Sequence, residues 1–481
     1  MSEVQLVSTF TTHVAQCFNT LSAENLITSI PLEGSHPFFG PLRQALLSIH
    51  PNNTSSTNIR SQLGFVRDDV RENLVNFISA ILNNIRGEVV EGGGGSGNGD
   101  GDESGGAYHD FSRLQLVCCE ANKLYAMSRA DGAYIHAFMN PLIVILAKGL
   151  VQLSSRAASL STLPLRHGKS ARSIRDATRQ VIERSNQIAT SNMTETEWNE
   201  GVGQQHVVGD VIWSLANVLF RIYAERKLHT QSTELQKTLH NLVPREEKRI
   251  ASRGHLIPQT EVCQSYYWRG KLGVVLLDMR GAKYWLDKAL GVCPELQLGW
   301  KQRRAILIRL IPVNLLLGLM PPQHLLRDYN MVEFQPLIHA SGTGNIPLWR
   351  RTLERSREWL RRRSVWLILF ERGEILVWRN LFRRTLKCYY ASDPTVAKNR
   401  CPTWIFFSAA RRAFEGSGEL EDGTITIEDI IVVLSSLIDQ SLILGHLSYS
   451  NKQLVMKPSS DGMGGFPAIS KVQPRRVEAI A

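Results

Sequence analysis

The sequence predicts a mainly α-helical chain: helical hairpins stacked in a tetratricopeptide-like solenoid, ending in a winged helix with a small β-hairpin wing. Three observations predict it. Apolar residues recur at i, i+3, i+4 and i+7 through most of the chain, which gives each segment one buried helical stripe. Between residues 260 and 292 runs a helix pair in which Tyr266, Gly270, Ala282 and Leu286, with Ala289 and the following Pro294, fall at the relative spacing of one tetratricopeptide repeat. Small residues at that spacing let two antiparallel helices close-pack. In residues 426–458 the period switches from helix to strand. Ile427, Ile430, Ile431, Leu434, Leu437 and Ile438 mark one helix face, and Ile443, Gly445, Leu447 and Tyr449 then share one side of a strand. Residues 450–452 turn the chain back. Thr426 caps that helix, with Asp429 completing a capping box in place of the usual Glu.

In chain order, residues 4–21, 42–49 and 74–85 carry amphipathic helical patterns and make an N-terminal helical part, 1–90. The run EGGGGSGNGDGDESGG, residues 91–106, cannot bury anything and predicts a flexible linker. Its GxGxxG match at Gly92, Gly94 and Gly97 is compositional, because no strand precedes it. Helix resumes over 107–153, with Pro141 marking a helix start. Residues 154–205 are rich in Ser, Thr and Arg and predict a polar insert, helical over 170–188 and loop elsewhere. Residues 206–363 carry the densest helical pattern and form the repeat part. Within it 211–228 is amphipathic, and Pro312 should kink the apolar helix at 301–321. The winged helix occupies 364–458, and 459–481 predicts a disordered tail.

At 481 residues the chain can bury a large core of two or three packed units. A formal charge of +11 favours an acidic partner. Seven cysteines without a CxxC pair point away from a disulfide framework or a zinc ribbon and toward a reduced intracellular protein. A secretory signal is not expected. The greasiest run, from Ile306, carries Arg309 and Pro312 and falls short of a membrane span. There is no Walker loop, HExxH, zinc spacing or GxSxG elbow, so no enzyme, metal or cofactor is expected. The calcium-loop likeness around Asp422, Gly423 and Ile425 has Gly418 where the first carboxylate must be and Asp429 in place of a bidentate Glu.

Four stretches carry a resemblance: NVLFRIYAERKLH from Asn217, YYWRGKL from Tyr266, RRAILIRLIPVNLLLGLMP from Arg303 and WRNLF from Trp378. They resemble the PCI-domain family over about residues 206–458. Within it they are most similar to the PCI subunit of the nuclear transcription-and-mRNA-export complex TREX-two, with the fungal signalosome-associated PCI protein as a sister branch. The resemblance implies a non-enzymatic scaffold of a nuclear mRNA-export complex, located in the nucleus and at nuclear pores. It implies pairing with a larger PCI-bearing scaffold similar to the germinal-centre-associated nuclear protein. It further implies a small acidic disordered subunit shared with the proteasome lid, and contact with RNA or DNA. On the sister branch the role would be in transcription or splicing coupling.

Charge locates the expected surface. Between residues 347 and 387 stand twelve Lys or Arg against four Glu, a net +8 in one short segment. In its first half Glu354 and Glu358 lie at pairing distance from neighbouring arginines, a solvated face whose pairs are worth ~0.2–0.5 kcal/mol each. In its second half Arg379, Arg383 and Lys387 recur at i, i+4 and i+8 with no carboxylate at partner spacing, which reads as a solvent-facing ridge calling for an external anion. Arg384 adjoins it, and Arg361, Arg362, Arg363, Arg411 and Arg412 are further nucleic-acid candidates. The helix from Ile427 carries Glu428, Asp429 and Asp439 and nothing that reads base edges before Gln440. It is expected to pack against a partner, with Ile430, Leu434, Leu437, Ile443, Leu447 and Tyr449 at the interface.

Overall fold

A computed structural model of the protein describes residues 2–31, 36–49, 56–66, 68–87, 102–127, 137–160, 171–191, 197–200, 204–241, 258–294, 296–392, 399–415, 425–457 and 465–472. The chain divides into two compact units, Met1–Ser265 and Tyr266–Ala481. The division falls inside the 206–363 stretch that the sequence presents as one helical part.

In the first unit α1 (Glu3–Thr20), α2 (Ala23–Ser29), α3 (Phe39–Ile49), α4 (Ser56–Gln62) and α5 (Asp68–Arg86) pack on one another. Ser2 and Gln5 form a capping box that starts α1. Phe18 sits edge-on to Phe77 and Phe138, with centroids 6.2 and 5.2 Å away. Helix α6 (Asp102–Tyr125) begins inside the stretch expected to be linker, so residues 102–106 are helical; 91–101 lie outside the described residues. Buried Ala107, Phe111, Leu114 and Val117 anchor this helix. Extending an anchored helix backward costs far less than nucleating one, even through glycine.

Pro141 lies in the first turn of α7 (Asn140–Leu160), where its missing N–H is tolerated. With the turn before it, this is the one described helix long and apolar enough to cross a membrane; 61% of its apolar window is buried in the protein, between α6 and α8 (Ala171–Ser191).

The described part of the 154–205 stretch does not form a polar insert. Ile174, Val181, Ile182 and Ile188 of α8 are buried, and so are Ser154, Ala157 and Ala158 at the end of α7. The polar residues of α8 find partners across helices: Ser185 donates to Asn122 Oδ1 at 2.7 Å, and Asn122 Nδ2 donates to the Val181 carbonyl at 3.1 Å. Paired in this way, polar groups can be buried at little net cost. Two short strands, β1 (Glu197–Glu200) and β2 (Gln204–Val207), make an antiparallel hairpin in what was expected to be loop. Helix α9 (Ile212–Glu225) is buried on nearly every side and is flanked by α10 (His229–Asn241). Tyr223 of α9 donates to Glu183 at 2.6 Å, and Arg226 grips Asp176 with both terminal nitrogens.

Helix α11 (Gln259–Val275) crosses into the second unit, where α12 (Met279–Val292), α13 (Leu296–Leu316), α14 (Gln323–Asp328), α15 (Gln335–Thr343), α16 (Ile346–Arg355) and α17 (Arg357–Arg362) follow. The repeat spacing has a direct physical counterpart here. A Cβ on Gly270 would stand 2.6 Å from Leu286 Cγ, and one on Gly273 would stand 3.0 Å from the Ala282 backbone. Pro312 lies inside a continuous α13. Gly270→Ala should therefore destabilise the protein by about 1–3 kcal/mol, because overpacking against fully buried Leu286 outweighs the ~1 kcal/mol of helix propensity gained. Urea unfolding would measure this, and a stabilised variant would contradict the close packing.

The chain ends in α18 (Trp366–Ser392), β3 (Arg400–Pro402), α19 (Thr403–Phe414), α20 (Ile427–Asp439), β4 (Gly445–Ser448) and β5 (Gln453–Met456). The strands form one antiparallel sheet in the order β3, β5, β4, a winged helix whose first strand the sequence pattern did not reveal. Phe382 meets Phe406 at 5.0 Å and Trp378 stacks on Phe414 at 5.9 Å, which joins α18 to α19.

Part of the expected disordered tail is ordered. Over residues 465–472 the chain returns across the second unit: the Leu444 amide donates to the Gly465 carbonyl at 2.6 Å, Phe466 is buried, and Arg280 donates to the carbonyls of Ser470 and Val472 at 2.8 and 2.7 Å. Ile469 packs where Gly318, at φ +75°, leaves no room for a side chain. Residues 459–464 and 473–481 lie outside the described residues.

Candidate nucleic-acid and partner interface

Helix α18 positions four of the nine expected basic side chains, and three close approaches fix it. Gly373 admits the ring of buried Trp349 from α16, and Gly344, at φ +77°, ends α15 against the backbone of Leu381. Asn380 donates to the Ser341 carbonyl at 2.9 Å. With the helix held so, each basic side chain has a determined fate.

Arg379 is not part of a solvent-facing ridge. It is 3% exposed, donates Nε to the Leu442 carbonyl at 3.1 Å and Nη2 to the Pro467 carbonyl, and stands 5.5 Å from the Phe466 ring. Burial, with a smaller push from Arg383, draws its guanidinium down to about 10, so it remains charged at neutral pH. In place of an external anion it has two backbone carbonyls as acceptors, one after α20 and one in the returning tail.

Its neighbours on the helix do face solvent. Arg383, Arg384 and Lys387 are exposed, and Arg384 also donates to the Gly342 carbonyl at 3.1 Å. Arg361, Arg411 and Arg412 are exposed as well, and these three, like Arg383 and Lys387, have no carboxylate partner among the described residues. Arg362 is paired with Glu358 at 2.9 Å, and Arg357 with Glu354 at 3.0 Å. Arg363 is half-buried, its guanidinium 4.0 Å from the Trp359 ring, and burial together with nearby Arg304 lowers its proton affinity. One pairing lay beyond sequence spacing: Arg350 bridges from α16 to Glu374 of α18 at 2.6 Å.

The expected partner face also changes. Ile430, Leu434 and Leu437 are wholly buried and Ile443 is 1% exposed, so these four are the winged helix's own core. Leu447 is half-buried, and Tyr449 is 71% exposed in the turn after β4. What α20 shows to solvent is Glu428, Asp429, Val432, Ser435 and Asp439, an acidic face around one exposed valine. The capping box at its start is present, and its hydrogen bonds from Thr426 hold the Asp429 carboxyl below its ordinary range. The apolar period identified this helix, but the stripe it revealed faces inward. Among the described residues, no group of three or more His, Cys, Asp or Glu could hold a metal ion. The calcium-like loop lies mostly outside the described residues.

Curated sequences resemble this chain. A PCI domain-containing protein of Schizosaccharomyces pombe is 26% identical over 360 residues, 74% of this chain and 75% of its own. PCI domain-containing protein 2 of Xenopus laevis is 28% identical over 259 residues, 54% of this chain and 57% of its own. Both of these relatives are named for the PCI domain. The Drosophila melanogaster homologue of PCI domain-containing protein 2 matches over a similar share, 53% of this chain and 58% of its own. No family model matches the chain. The animal PCI relatives are thus matched over little more than half their length, and their names describe a domain rather than a ligand.

Proposed function

We propose that the chain is a non-enzymatic scaffold subunit of a nuclear mRNA-export complex that pairs with a larger PCI scaffold and presents a basic surface to RNA or DNA. The observation that carries the nucleic-acid part is the set of exposed cations without a carboxylate partner among the described residues, Arg383 and Lys387 on α18 and Arg411 and Arg412 on α19. Such cations make sequence-independent backbone contacts. The acidic face of α20 suits protein rather than nucleic acid, which leaves Val432, Leu447 and Tyr449 for a partner scaffold. A small acidic subunit would find its complement elsewhere on the basic chain.

Replacing Arg383, Lys387, Arg411 and Arg412 together by Glu should abolish binding of single-stranded RNA of any sequence while partner assembly persists. Removing them two at a time should flatten the salt dependence by roughly 0.7 log units of affinity per log unit of salt for each phosphate no longer neutralised. Fluorescence anisotropy across a salt series reads both. An unchanged slope would remove this surface from consideration. Affinity purification followed by mass spectrometry tests the assembly: recovery of signalosome subunits in place of an export scaffold would move the protein to the sister branch.

A further inference from the structure

We propose that Trp404, at the start of α19, is a base-stacking platform for single-stranded nucleic acid, with Arg411, Arg412 and Lys452 holding the phosphates to either side of the stacked base. This rests on the nucleic-acid reading above and adds to its cations the group that engages a base. Trp404 is 58% exposed, although tryptophan is on average a highly buried residue, and among the described residues no ring or cation covers its face. Its backbone is fixed all the same. Thr403 is wholly buried, and both its amide, at 2.9 Å, and its hydroxyl, at 3.0 Å, donate to the Lys452 carbonyl. Ile405 and Phe406, next in the chain, are buried, with Phe406 packed on Phe382 of α18. An anchored helix start thus carries a ring that stays open to a planar ligand.

The surroundings of the ring set the chemistry of that ligand. The outward face of α19 continues through Ser408, Arg411 and Arg412, at i+4, i+7 and i+8 from Trp404 and all exposed. Arg411 stands two turns on, roughly 10 Å along the axis, with only the small Ser408 on the face between them. Neither Arg411 nor Arg412 forms an ion pair among the described residues, not even with Glu415 one turn further. On the other side of the ring, the Thr403 hydrogen bonds bring the wing turn to the start of α19, and that turn carries exposed Lys452, also without a carboxylate partner among the described residues. Cations at both ends of an open ring suit sequence-tolerant single-strand binding, in which positive charge tracks the backbone and an aromatic face takes the base. A protein anchored on Trp404 would need apolar ground around the ring, and this face offers Ser408 and charge instead. An acidic peptide satisfies the cations but leaves the ring wet.

The test uses the full chain and two labelled strands of equal length, oligouridylate and an abasic strand that keeps only the sugar-phosphate backbone. Trp404→Ala should weaken oligouridylate at least about 5-fold and leave the abasic strand unchanged, and Trp404→Phe should keep most of the affinity, because a smaller aromatic face still stacks. Lys452→Gln and Arg412→Gln should weaken both strands, since phosphate contacts ignore the base. Trp404→Ala weakening both strands equally, or neither, overturns the proposal. So does a loss confined to a polyglutamate probe, which would make the face a dock for acidic protein. Should Trp404→Ala fold poorly, 4-thiouridine cross-linking to the wild-type protein decides: adducts on α19 at or beside Trp404 support the site and their absence overturns it. If the wild type binds neither strand, the basic-surface reading falls and this one falls with it. If replacing Arg383, Lys387, Arg411 and Arg412 abolishes oligouridylate binding while Trp404→Ala binds like the wild type, the stacking site alone falls.

Discussion

Arg379→Glu should destabilise the second unit by about 3–5 kcal/mol, more than any surface charge reversal in the same helix. The substitution leaves the Leu442 and Pro467 carbonyls without a donor and sets a carboxylate beside them in a site that is 3% exposed. Breaking a buried charged interaction by removing one partner costs that much, because the remaining groups stay dry. Arg383→Glu and Lys387→Glu, one turn and two turns further on, are exposed and should each stay within about 0.5 kcal/mol of the wild type. Urea unfolding of the three single variants separates them. Arg379→Met should fall between, since it removes the two hydrogen bonds without burying a new charge. If Arg379→Glu unfolds at the wild-type midpoint, the tail and the end of α20 are not held by this side chain. A nucleic-acid test that reversed Arg379 together with its neighbours would confuse unfolding with impaired binding.

Gly373→Ala should cost about 2–4 kcal/mol although it replaces glycine by the best helix former. In an exposed helix interior the same change would gain ~1 kcal/mol. Here the new methyl would stand 2.2 Å from Cζ2 of Trp349, a ring that is 1% exposed and cannot swing away. Such an overlap must move either α16 or α18, and overpacking of a close-packed core costs typically 1–3 kcal/mol and occasionally more. The displaced elements include Arg350 and Glu374, whose bridge joins the same two helices. Trp349→Phe shrinks the ring that occupies the space. Combined with Gly373→Ala it should recover part of the loss, whereas alone it should destabilise by leaving a void. A double variant no more stable than the Gly373→Ala single would argue that the loss does not come from this overlap.

The winged helix shows how differently its parts could be read in advance. The α20 stripe, Ile430, Leu434 and Leu437, is a local period, and so is the change to alternation at Ile443; both needed only neighbouring residues. The Thr426–Asp429 box is likewise a local motif. Strand β3 escaped because a three-residue edge partner, Arg400–Pro402, has no period of its own and exists by pairing with β5, some fifty residues later. The polar residues of α8 misled for a related reason. Composition marks Ser185 and Thr178 as surface types, and their burial depends on acceptors for their hydroxyls: Asn122, 63 residues earlier, for Ser185, and the Ile174 carbonyl for Thr178.

The sequence alone determined the helical class, the paired helices around Gly270 and Leu286, the winged helix at the end and the likeness to PCI proteins. Each of these rests on residues close together in the chain, where periodicity, capping and motif spacing act directly. Only the tertiary structure decided which charges face water. Arg379, Arg383 and Lys387 have the same sign of charge and lie four residues apart, yet Arg379 turns toward carbonyls contributed 63 and 88 residues away and is withdrawn from the surface. A backbone carbonyl belongs to every residue type and leaves no mark in composition, so a cation that it satisfies cannot be told from a solvent-facing one until the chain has folded.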